Sequence, residues 1–586
     1  MTMTNYEDVL SKNKILDELK TQGWNCVAGK TLDRAKTEPL LRAELQTAIV
    51  RVNPEIPLAE TELSTLIEEL RRKTSSANDC AEILRYFRKG IPFKPKSKGN
   101  LETIQLISPD PKENTYTAAY EVTSSNSRGE RIRSDILLYI NGIPVADIEC
   151  KDPSNLQVSW ADAYQQIKRY QKTVPELYKY VQIGVAADVR IKYFPTTPWL
   201  LTKTGNNTEY TAEHTLKHSR EEDKTNTAIK IAEWDEEKPL EIFTPSVFLN
   251  IIKNYTFTRI TKGNDSKILP RFIQYRAVEK IVRRVKENLA GNDPKNKGLI
   301  WHWQGSGKTL TMTYAAYQLF NLPELEKPTI FFVSDRDDLQ TQLKSDYESV
   351  KGLPAVNKVT SIKHLTEILS ADNLKGRREI LTVLVQKFRP EKLHKLEEQL
   401  KASETETVST RKNIILLIDE AHRTQEGILS GEMRNSLLKN AFAFAFTGTP
   451  NTGDAAAGDK TKNTFTEFSY PPDEEYLDKY DMESSISDKF TLPLTYRPCL
   501  TDAKSIEMYD EAVREYLNQY FDDVDDAVKA IKEESIKKQL RAYKLFLENP
   551  SHIQKVSEKI AAHYKKIVEP AGFKALLICA SRKACV

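Results

Sequence analysis

Cysteines, long apolar runs and a surplus of charge of one sign are all scarce in this sequence. Its six cysteines are scattered over 586 residues without the paired spacing of zinc ligands or of a disulfide framework, which favours a reducing compartment. No stretch approaches the roughly 18 apolar residues of a membrane span, and the opening MTMTNYEDVL lacks the basic and apolar segments of a signal peptide. We therefore expect a cytoplasmic protein with no membrane partner.

The charge balance also excludes a globally basic surface. The formal net charge is only +3, from 86 Lys and Arg against 83 Asp and Glu. Any binding of nucleic acid must therefore come from local grooves rather than from the field of the whole molecule.

The length and the order of elements predict several domains, because a single hydrophobic core rarely grows past about 250–300 residues. Helical periodicity up to about residue 90 gives way to alternating strand signals, and then to short apolar runs separated by helical segments. Such runs indicate a parallel sheet covered on both faces. We predict an α/β multidomain protein with domains over 1–255, 256–455 and 456–586. The final FKALLICASRKACV predicts a buried strand that enters a helix, so the third domain is expected to be cut in mid-element.

A glycine-rich motif follows the apolar run LIW and consists of Gly305, Ser306, Gly307, Lys308 and Thr309. Small residues let backbone N–H groups wrap phosphates, a lysine adds a point charge, and a threonine hydroxyl can ligate Mg²⁺. The motif therefore predicts the phosphate-binding loop of a nucleoside triphosphatase. One residue departs from the full pattern, which has glycine where this chain has a histidine at position 302, so the loop is expected to begin differently.

A second motif, Asp-Glu-Ala-His, follows the apolar strand IILLI. The carboxyl end of a parallel strand lies beside the phosphate loop, so we expect Asp419 to hold Mg²⁺ with Thr309, and Glu420 to activate the attacking water. His422 is either a buried histidine with satisfied hydrogen bonds or a relay from the nucleotide to the DNA path, and we favour the relay.

The sequence TGTP closes the next apolar strand. Thr447 and Thr449 lie where a helicase couples hydrolysis to movement, although a simple turn also suits this sequence. Together the motifs resemble superfamily 2 helicases and translocases of the DEAH type over roughly residues 265–450. The resemblance implies RecA-like lobes that use ATP, and it places Arg271 and Gln274 where helicases read adenine. The motifs of a second lobe are not visible, so we expect this chain to bind ATP with little turnover.

A predicted hairpin carries another group of charged residues. Asp135 begins one apolar strand, Asn141 and Gly142 mark the turn, and the return strand ends at Glu149 and Lys151. Residues two apart project from one face of a strand. Two carboxylates there can hold Mg²⁺, and a lysine can polarise water or stabilise charge on a cleaved phosphate. The alternative is a surface salt bridge.

The register of the hairpin decides whether Asp135 joins that face. A strict two-residue turn places Asp135 opposite Ile148, on the wrong face. A three-residue loop pairs Ile140 with Pro144 and places Asp135 opposite Glu149. We therefore predict a three-residue loop or a bulge.

This hairpin resembles that of the PD-(D/E)xK nucleases, in particular those with an added Q-x-x-x-Y motif, which Gln166 and Tyr170 match on the next predicted helix. The resemblance implies that Asp135, Glu149 and Lys151 are catalytic and that the two acids hold the metal. It also implies that Gln166 and Tyr170 lie near the active site and help to hold DNA. A serine stands where the family commonly has a proline before the first acid.

A nuclease of this kind followed by a DEAH motor resembles the restriction (R) subunit of type I restriction–modification enzymes. The implied fold is a PD-(D/E)xK nuclease domain followed by RecA-like lobes of superfamily 2. The implied function is ATP-dependent translocation of double-stranded DNA with non-specific cleavage, in a complex with methylation (M) and specificity (S) subunits. The alternative is a stand-alone helicase–nuclease for DNA repair or phage defence, which would need no methylase beside it.

Overall fold

The computed structural model of the protein describes residues 12–151, 159–188, 190–200, 232–235, 237–261, 263–369, 371, 376–384, 411–423, 438–451, 463–488, 490–493, 548, 550–579 and 581–585. The chain divides into two compact units, Met1–Leu492 and Pro493–Val586. Both candidate sites lie in the first unit.

Amphipathic helices open the described chain, as the periodicity predicted. They are α1 (Lys12–Thr21), α2 (Arg42–Val52), α3 (Glu60–Arg72) and α4 (Ala77–Lys89). In α3, Leu63, Leu66 and Leu70 repeat at spacings of three and four and are buried. The N-cap of α4 is Ser76, whose hydroxyl accepts a hydrogen bond from the backbone N–H of Asp79.

The strands of the N-terminal half form one mixed sheet and one small pair. In chain order they are β1 (Asn25–Ala28), β2 (Ile91–Phe93), β3 (Glu102–Ile104), β4 (Tyr116–Ser125), β5 (Arg131–Ile140), β6 (Ile143–Cys150), β7 (Ile183–Ala187), β8 (Ile191–Pro195) and β9 (Ala232–Glu233). Seven of these described strands pair in the order β1-β4-β5-β6-β7-β8-β9, and β2 pairs with β3. Contacts β1–β4 and β6–β7 are parallel and the others in this sheet are antiparallel.

Helices cover both faces of this sheet. Side chains of Ile136 and Leu138 pack in the core that contains α1 to α4, because alternate residues of a strand point to opposite faces. Leu137 and Tyr139 pack in the core on the other face, which also contains residues of α5 (Trp160–Thr173) and α6 (Pro175–Tyr178). The next elements are α7 (Pro245–Asn250) and the hairpin of β10 (Phe257–Thr261) and β11 (Asn264–Ile268).

A parallel sheet forms the rest of the first unit. Its described strands are β12 (Lys297–His302), β13 (Thr329–Ser334), β14 (Val356–Lys358), β15 (Glu379–Leu384), β16 (Ile414–Asp419), β17 (Phe442–Thr447) and β18 (Asp478–Tyr480). They pair in the order β14-β15-β13-β16-β17-β12-β18, all in parallel. The helices of this region are α8 (Phe272–Leu289), α9 (Lys308–Phe320), α10 (Asp337–Glu348), α11 (Ile362–Leu369), α12 (Thr464–Phe468) and α13 (Met482–Ser487). Separate cores cover the two faces, which confirms the predicted covered parallel sheet.

The edge strand β18 extends this sheet past residue 455, where we expected the domain to end. It pairs with β12 from Ile300 to His302. The sheet therefore takes in Asp478–Tyr480, and the domain boundaries otherwise remain a prediction.

The C-terminal unit differs from the expectation for the end of the chain. Its described helices are α14 (Pro550–His563), which continues through a π-helical turn to Val568, and α15 (Arg582–Cys585). Residues 573–579 form no strand, and Phe573, Leu576 and Ile578 are 69%, 86% and 82% exposed. The predicted buried strand is therefore wrong, because no described strand is paired with it to satisfy its backbone. Within the described part of the chain, no helix combines the length and apolarity needed to span a membrane.

Candidate functional site

The hairpin of β5 and β6 contains the predicted bulge. Ile140 pairs with Ile143 across a two-residue turn, and the register shifts between Leu138 and Tyr139, which leaves Val145 as the extra residue. Beyond the bulge Ile136 pairs with Ile148. The next pair along the ladder is therefore Asp135 and Glu149, so the structure confirms the bulge and not the three-residue loop.

The turn is anchored through the side chain of Asn141, which is fully buried and has a left-handed φ of 52°. Its Oδ1 accepts hydrogen bonds from the Thr115 backbone N–H at 2.8 Å and from Arg51 Nη2 at 2.9 Å. Its Nδ2 donates to the Leu106 carbonyl at 2.9 Å. These bonds fix the hairpin that carries the charged residues.

The side-chain amide of Gln166 connects the predicted nuclease residues. Lys151 Nζ donates to Gln166 Oε1 at 2.6 Å, and Gln166 Nε2 donates to Glu149 Oε2 at 2.5 Å and to Tyr170 Oη at 2.8 Å. Tyr170 Oη donates to the Arg133 carbonyl at 2.9 Å. Gln166 and Tyr170 are four residues apart on α5 and so share one helix face. The structure thus brings Glu149, Lys151, Gln166 and Tyr170 together.

Asp135 completes this cluster from the neighbouring strand. Its Oδ2 accepts a hydrogen bond from the Cys150 backbone N–H at 3.0 Å, and its own N–H donates to Glu149 Oε1 at 3.3 Å. Burial, together with the carboxylates of Asp147 and Asp135, raises the pKa of Glu149. Burial and the neighbouring acids therefore disfavour the ionised form of Glu149 unless a further cation offsets their charge.

This donor set suits a divalent cation that keeps part of its water shell. Among the described residues no group of three or more His, Cys, Asp or Glu side chains is arranged to hold a metal ion. Asp135 and Glu149 offer carboxylate oxygens, and Mg²⁺ is commonly bound by one or two carboxylates plus water. The two acids therefore fit the metal that the sequence predicted.

A third acid in this cluster was not predicted. Asp147 is fully buried two residues before Glu149, on the same face of β6, and accepts a short hydrogen bond from Tyr178 Oη. Burial raises the pKa of its carboxyl. Its spacing of two residues from Glu149 could have indicated that it shares the same strand face. Because its sequence neighbours are apolar, we did not predict it as part of the site.

The glycine-rich loop joins β12 to α9. Gly305 and Gly307 have φ of 80° and 86°, a region that favours glycine, and α9 begins at Lys308. Lys308 Nζ lies 3.6 Å from Glu420 Oε1. Ser306 is buried and Thr309 is the second residue of the helix. The backbone N–H groups at the start of α9 thus form the expected anion-binding end of a helix.

Arg271 and Gln274 hold this loop from the start of α8. Gln274 Oε1 accepts the Arg271 backbone N–H at 3.0 Å, and Gln274 Nε2 donates to the Gly307 carbonyl at 3.2 Å. Arg271 Nη2 donates to the carbonyls of Gly305, at 3.3 Å, and of Ser306. Gln274 is 2% exposed. Its amide could therefore hydrogen-bond to the edge of a base only if its bonds to Arg271 and Gly307 were broken.

The two acids of the DEAH motif lie at the carboxyl end of β16. Asp419 is its last residue, and Glu420 adopts a left-handed φ of 47°. Burial and the neighbouring Glu420 raise the pKa of Asp419 to about 6, while Lys308 opposes that shift. The carboxylates therefore lie beside the loop lysine, as predicted for the carboxyl end of a parallel strand.

His422 links the acids to the TGTP turn. Its Nδ1 lies 2.8 Å from Thr447 Oγ1 and 3.4 Å from Glu420 Oε2. Thr447 Oγ1 also accepts the Thr449 backbone N–H at 3.1 Å. The structure thus brings together the three residues predicted to couple hydrolysis to movement.

Comparisons with known proteins agree with both halves of this description. Residues 5–203 match the family described as type I restriction enzyme R protein N terminus, and residues 273–530 match the SWI2/SNF2 ATPase family. A putative type I restriction enzyme endonuclease subunit of Methanocaldococcus jannaschii, MjaVIIIP, is 30% identical over 99% of this chain. The chain belongs to the R-subunit family of type I restriction enzymes.

This chain matches only part of the length of the R subunits that it resembles. This chain covers 55% of the MjaVIIIP subunit, and it covers 53% of the HindI endonuclease subunit of Haemophilus influenzae, to which it is 24% identical. The chain thus spans about half the length of the curated relatives it matches. A solved structure of the type ISP restriction–modification enzyme LlaBIII bound to DNA is 17% identical, over 38% of this chain and 16% of that one, with a TM-score of 0.26. The family and the fold class predicted from sequence, a nuclease domain followed by a superfamily 2 helicase-type ATPase, are confirmed by the family matches and the curated relatives.

Proposed function

We propose that this chain provides the nuclease and part of the motor of a type I restriction enzyme, which translocates double-stranded DNA with ATP and cuts it without sequence specificity. The observation that carries the proposal is the Gln166 amide, which holds Lys151 beside Glu149. A surface salt bridge would need no such amide, and it would not bury Glu149 completely. The same compact unit also contains the phosphate loop.

The nuclease residues have distinct roles in this proposal. Asp135 and Glu149 would hold Mg²⁺, which when bound supplies charge neutralisation and an activated water at the phosphodiester. Lys151, kept in place by Gln166, would stabilise negative charge on the cleaved phosphate. Tyr170 Oη uses its proton on the Arg133 carbonyl and therefore accepts from Gln166 Nε2. This contact keeps the amide nitrogen on the side of Glu149 and the amide oxygen on the side of Lys151.

The motor residues follow the general scheme of triphosphate hydrolysis. Lys308 and the backbone of residues 305–309 would bind the phosphates of ATP, and Thr309 and Asp419 would hold its Mg²⁺. Glu420 would take the proton of the attacking water. The contact of His422 with Thr447 would pass the state of the nucleotide to the turn that follows β17.

The proposed partners are double-stranded DNA and the methylation and specificity subunits. The methylation and specificity partners come from the family relationship, since R subunits act in such complexes. The specificity subunit would find the target sequence, and cleavage would occur at a distant site when translocation stalls. We propose a cytoplasmic location, because the complex must reach DNA.

Cleavage assays on the purified chain test the nuclease assignment. We expect Mg²⁺-dependent cutting of plasmid or single-stranded DNA by the wild type and none by Lys151→Ala, because the charge at the cleaved phosphate is lost. Lys172→Ala, which removes an exposed lysine of the neighbouring helix α5, should cut normally and is the matched control. Undiminished cutting by Lys151→Ala would show that the nuclease site has been wrongly assigned.

A further inference from the structure

His302, which replaces the first glycine of the phosphate-loop pattern, is fully buried and has a charged partner. Its Nε2 lies 2.7 Å from Oδ2 of Asp478, whose side chain is also fully buried. An ionised carboxylate only accepts hydrogen bonds, so Nε2 must be the protonated ring nitrogen. Nδ1 is then the acceptor, and it is buried with no hydrogen-bond partner among the described residues.

Two cations of α8 neutralise Asp478. Arg276 donates to it in bidentate fashion, from Nε to Oδ1 at 2.8 Å and from Nη2 to Oδ2 at 3.0 Å. Lys280 Nζ donates to Oδ1 at 2.7 Å. Burial favours the neutral form of Asp478, but the hydrogen bonds from His302 and Arg276 outweigh it and hold the pKa of this carboxyl well below its usual range. Burial lowers the pKa of His302, so its imidazole is neutral at physiological pH.

The backbone makes a second connection at the same place. Strand β18 pairs in parallel with β12, and the Trp303 N–H, the first after β12, donates to the Tyr480 carbonyl at 2.8 Å. The chain then runs on to Phe490, whose ring lies 4.3 Å from the guanidinium carbon of Arg271. A segment more than 170 residues after the loop thus contacts its entry and the arginine that holds its carbonyls.

We propose that Asp478 is a positioning residue of the nucleotide site and that it fixes the entry of the phosphate loop through His302. A glycine at position 302 would have no side chain to hold the entry of the loop, which only backbone hydrogen bonds would then fix. The Nε2–H of the buried imidazole finds its acceptor in the Asp478 carboxylate, so the side chain ties the loop to that residue. Arg276 and Lys280 hold that carboxylate from α8, the helix whose first turn contacts the loop. The proposal rests on the proposed ATP site and adds a residue to it.

Titration with a fluorescent ATP analogue in the presence of Mg²⁺ tests this role on the 586-residue chain. We expect Asp478→Asn and His302→Leu to weaken binding roughly ten- to hundredfold, as small misplacements of binding groups do. His302→Gln, whose amide can still donate to Asp478, should retain most of the affinity. Glu474→Gln is the matched control, since Glu474 binds Arg284 of the same helix but no residue of the loop.

Hydrogen exchange of the loop amides gives a readout that does not need nucleotide. Exchange over residues 303–309 should rise in Asp478→Asn and stay unchanged in Glu474→Gln, with thermal unfolding confirming that both variants fold. If Asp478→Asn does not fold, His302→Leu supplies the same comparison.

The outcomes separate this inference from the function on which it rests. Equal affinity and equal loop exchange in Asp478→Asn and Glu474→Gln would overturn the positioning role while the ATP site stands. Absence of binding by the wild type would overturn the ATP site, and the positioning role with it.

Discussion

At the scale of single residues, the chemistry of one glutamine explains the arrangement of the proposed nuclease cluster. A neutral amide has both an acceptor and a donor, so Gln166 can serve Lys151 with its oxygen and Glu149 with its nitrogen. A glutamate at this position could not donate to Glu149, and a lysine could not accept from Lys151. The Q-x-x-x-Y spacing then has a physical reason, because Tyr170 lies one helical turn away and contacts the same amide.

A buried lysine provides a pH-dependent test at the same scale. Lys267 is 4% exposed, its Nζ contacts Thr196 Oγ1 at 3.3 Å, and burial lowers its pKa to about 8 from the usual 10.5. Between these two pH values the unfolded chain binds more protons than the folded chain at this position. The contribution of Lys267 to the free energy of unfolding must therefore rise as pH increases from 8 to 10.5.

Lys267→Met should remove that dependence. We expect the variant to be more stable than the wild type at pH 7, by up to about 3 kcal/mol, because a charge no longer has to be buried. The advantage should shrink as pH approaches 10.5. Urea unfolding of both proteins at pH 7 and 10 measures this, and an advantage of equal size at both pH values would contradict it.

At the scale of elements, the turn between β5 and β6 sets the position of the proposed nuclease residues. Gly142 has a φ of 78°, and a Cβ there would lie 2.6 Å from the Leu41 carbonyl oxygen. Gly129 has a φ of 84° with no atom within 4 Å of its hypothetical Cβ. Substitution at Gly129 therefore adds backbone strain alone, whereas substitution at Gly142 adds both backbone strain and a steric clash.

Gly142→Ala should destabilise the chain far more than Gly129→Ala. We expect Gly129→Ala to lower the free energy of unfolding by about 1 kcal/mol, which is the cost of an alanine in the left-handed conformation alone. Gly142→Ala should cost about 3 kcal/mol or more, since the backbone of the hairpin or of residue 41 has to move. Denaturant unfolding compares the two, and equal losses would show that the contact at the turn is not tight.

The elements that the sequence predicted well are those with local signals. The phosphate loop, the DEAH strand and the bulged hairpin each depend on residues within a short stretch, whose strand period and turn chemistry can be read directly. The bulge could be inferred because charged side chains on one face require it. Asp147 carried such a signal as well, from its spacing to Glu149.

Contacts between distant segments could not be predicted in this way. Asp478 lies in a short strand with no motif, and its role depends on pairing with β12 across a separation of more than 170 residues. Gln274 was expected at a base edge because helicase motifs suggest it, whereas its amide caps α8 and holds the loop. An apolar run such as residues 575–579 forms a strand only if a neighbouring strand is available to pair with it.

At the scale of the whole molecule, the first unit contains both candidate sites, and its mixed sheet contacts the start of α8 directly. Tyr193 of β8, in the nuclease sheet, donates from Oη to the Pro270 carbonyl at 2.6 Å, next to Arg271. The rings of Trp234 and Phe272 lie 5.2 Å apart in an edge-to-face arrangement. The nuclease sheet therefore packs directly against the start of α8, which holds the phosphate loop. Two sites with separate chemistry are thus proposed within one compact unit.

One experiment that measures both activities tests that assignment most directly, on the subunit combined with the proposed methylation and specificity partners. ATP hydrolysis and DNA cleavage are measured together for the wild type, Lys308→Ala and Lys151→Ala. We predict that Lys151→Ala hydrolyses ATP at the wild-type rate and cuts no DNA, because it lies outside the nucleotide site. Lys308→Ala should lose ATP hydrolysis and ATP-dependent cutting while retaining any ATP-independent nicking. Wild-type cleavage by Lys151→Ala, or wild-type hydrolysis by Lys308→Ala, would contradict the account.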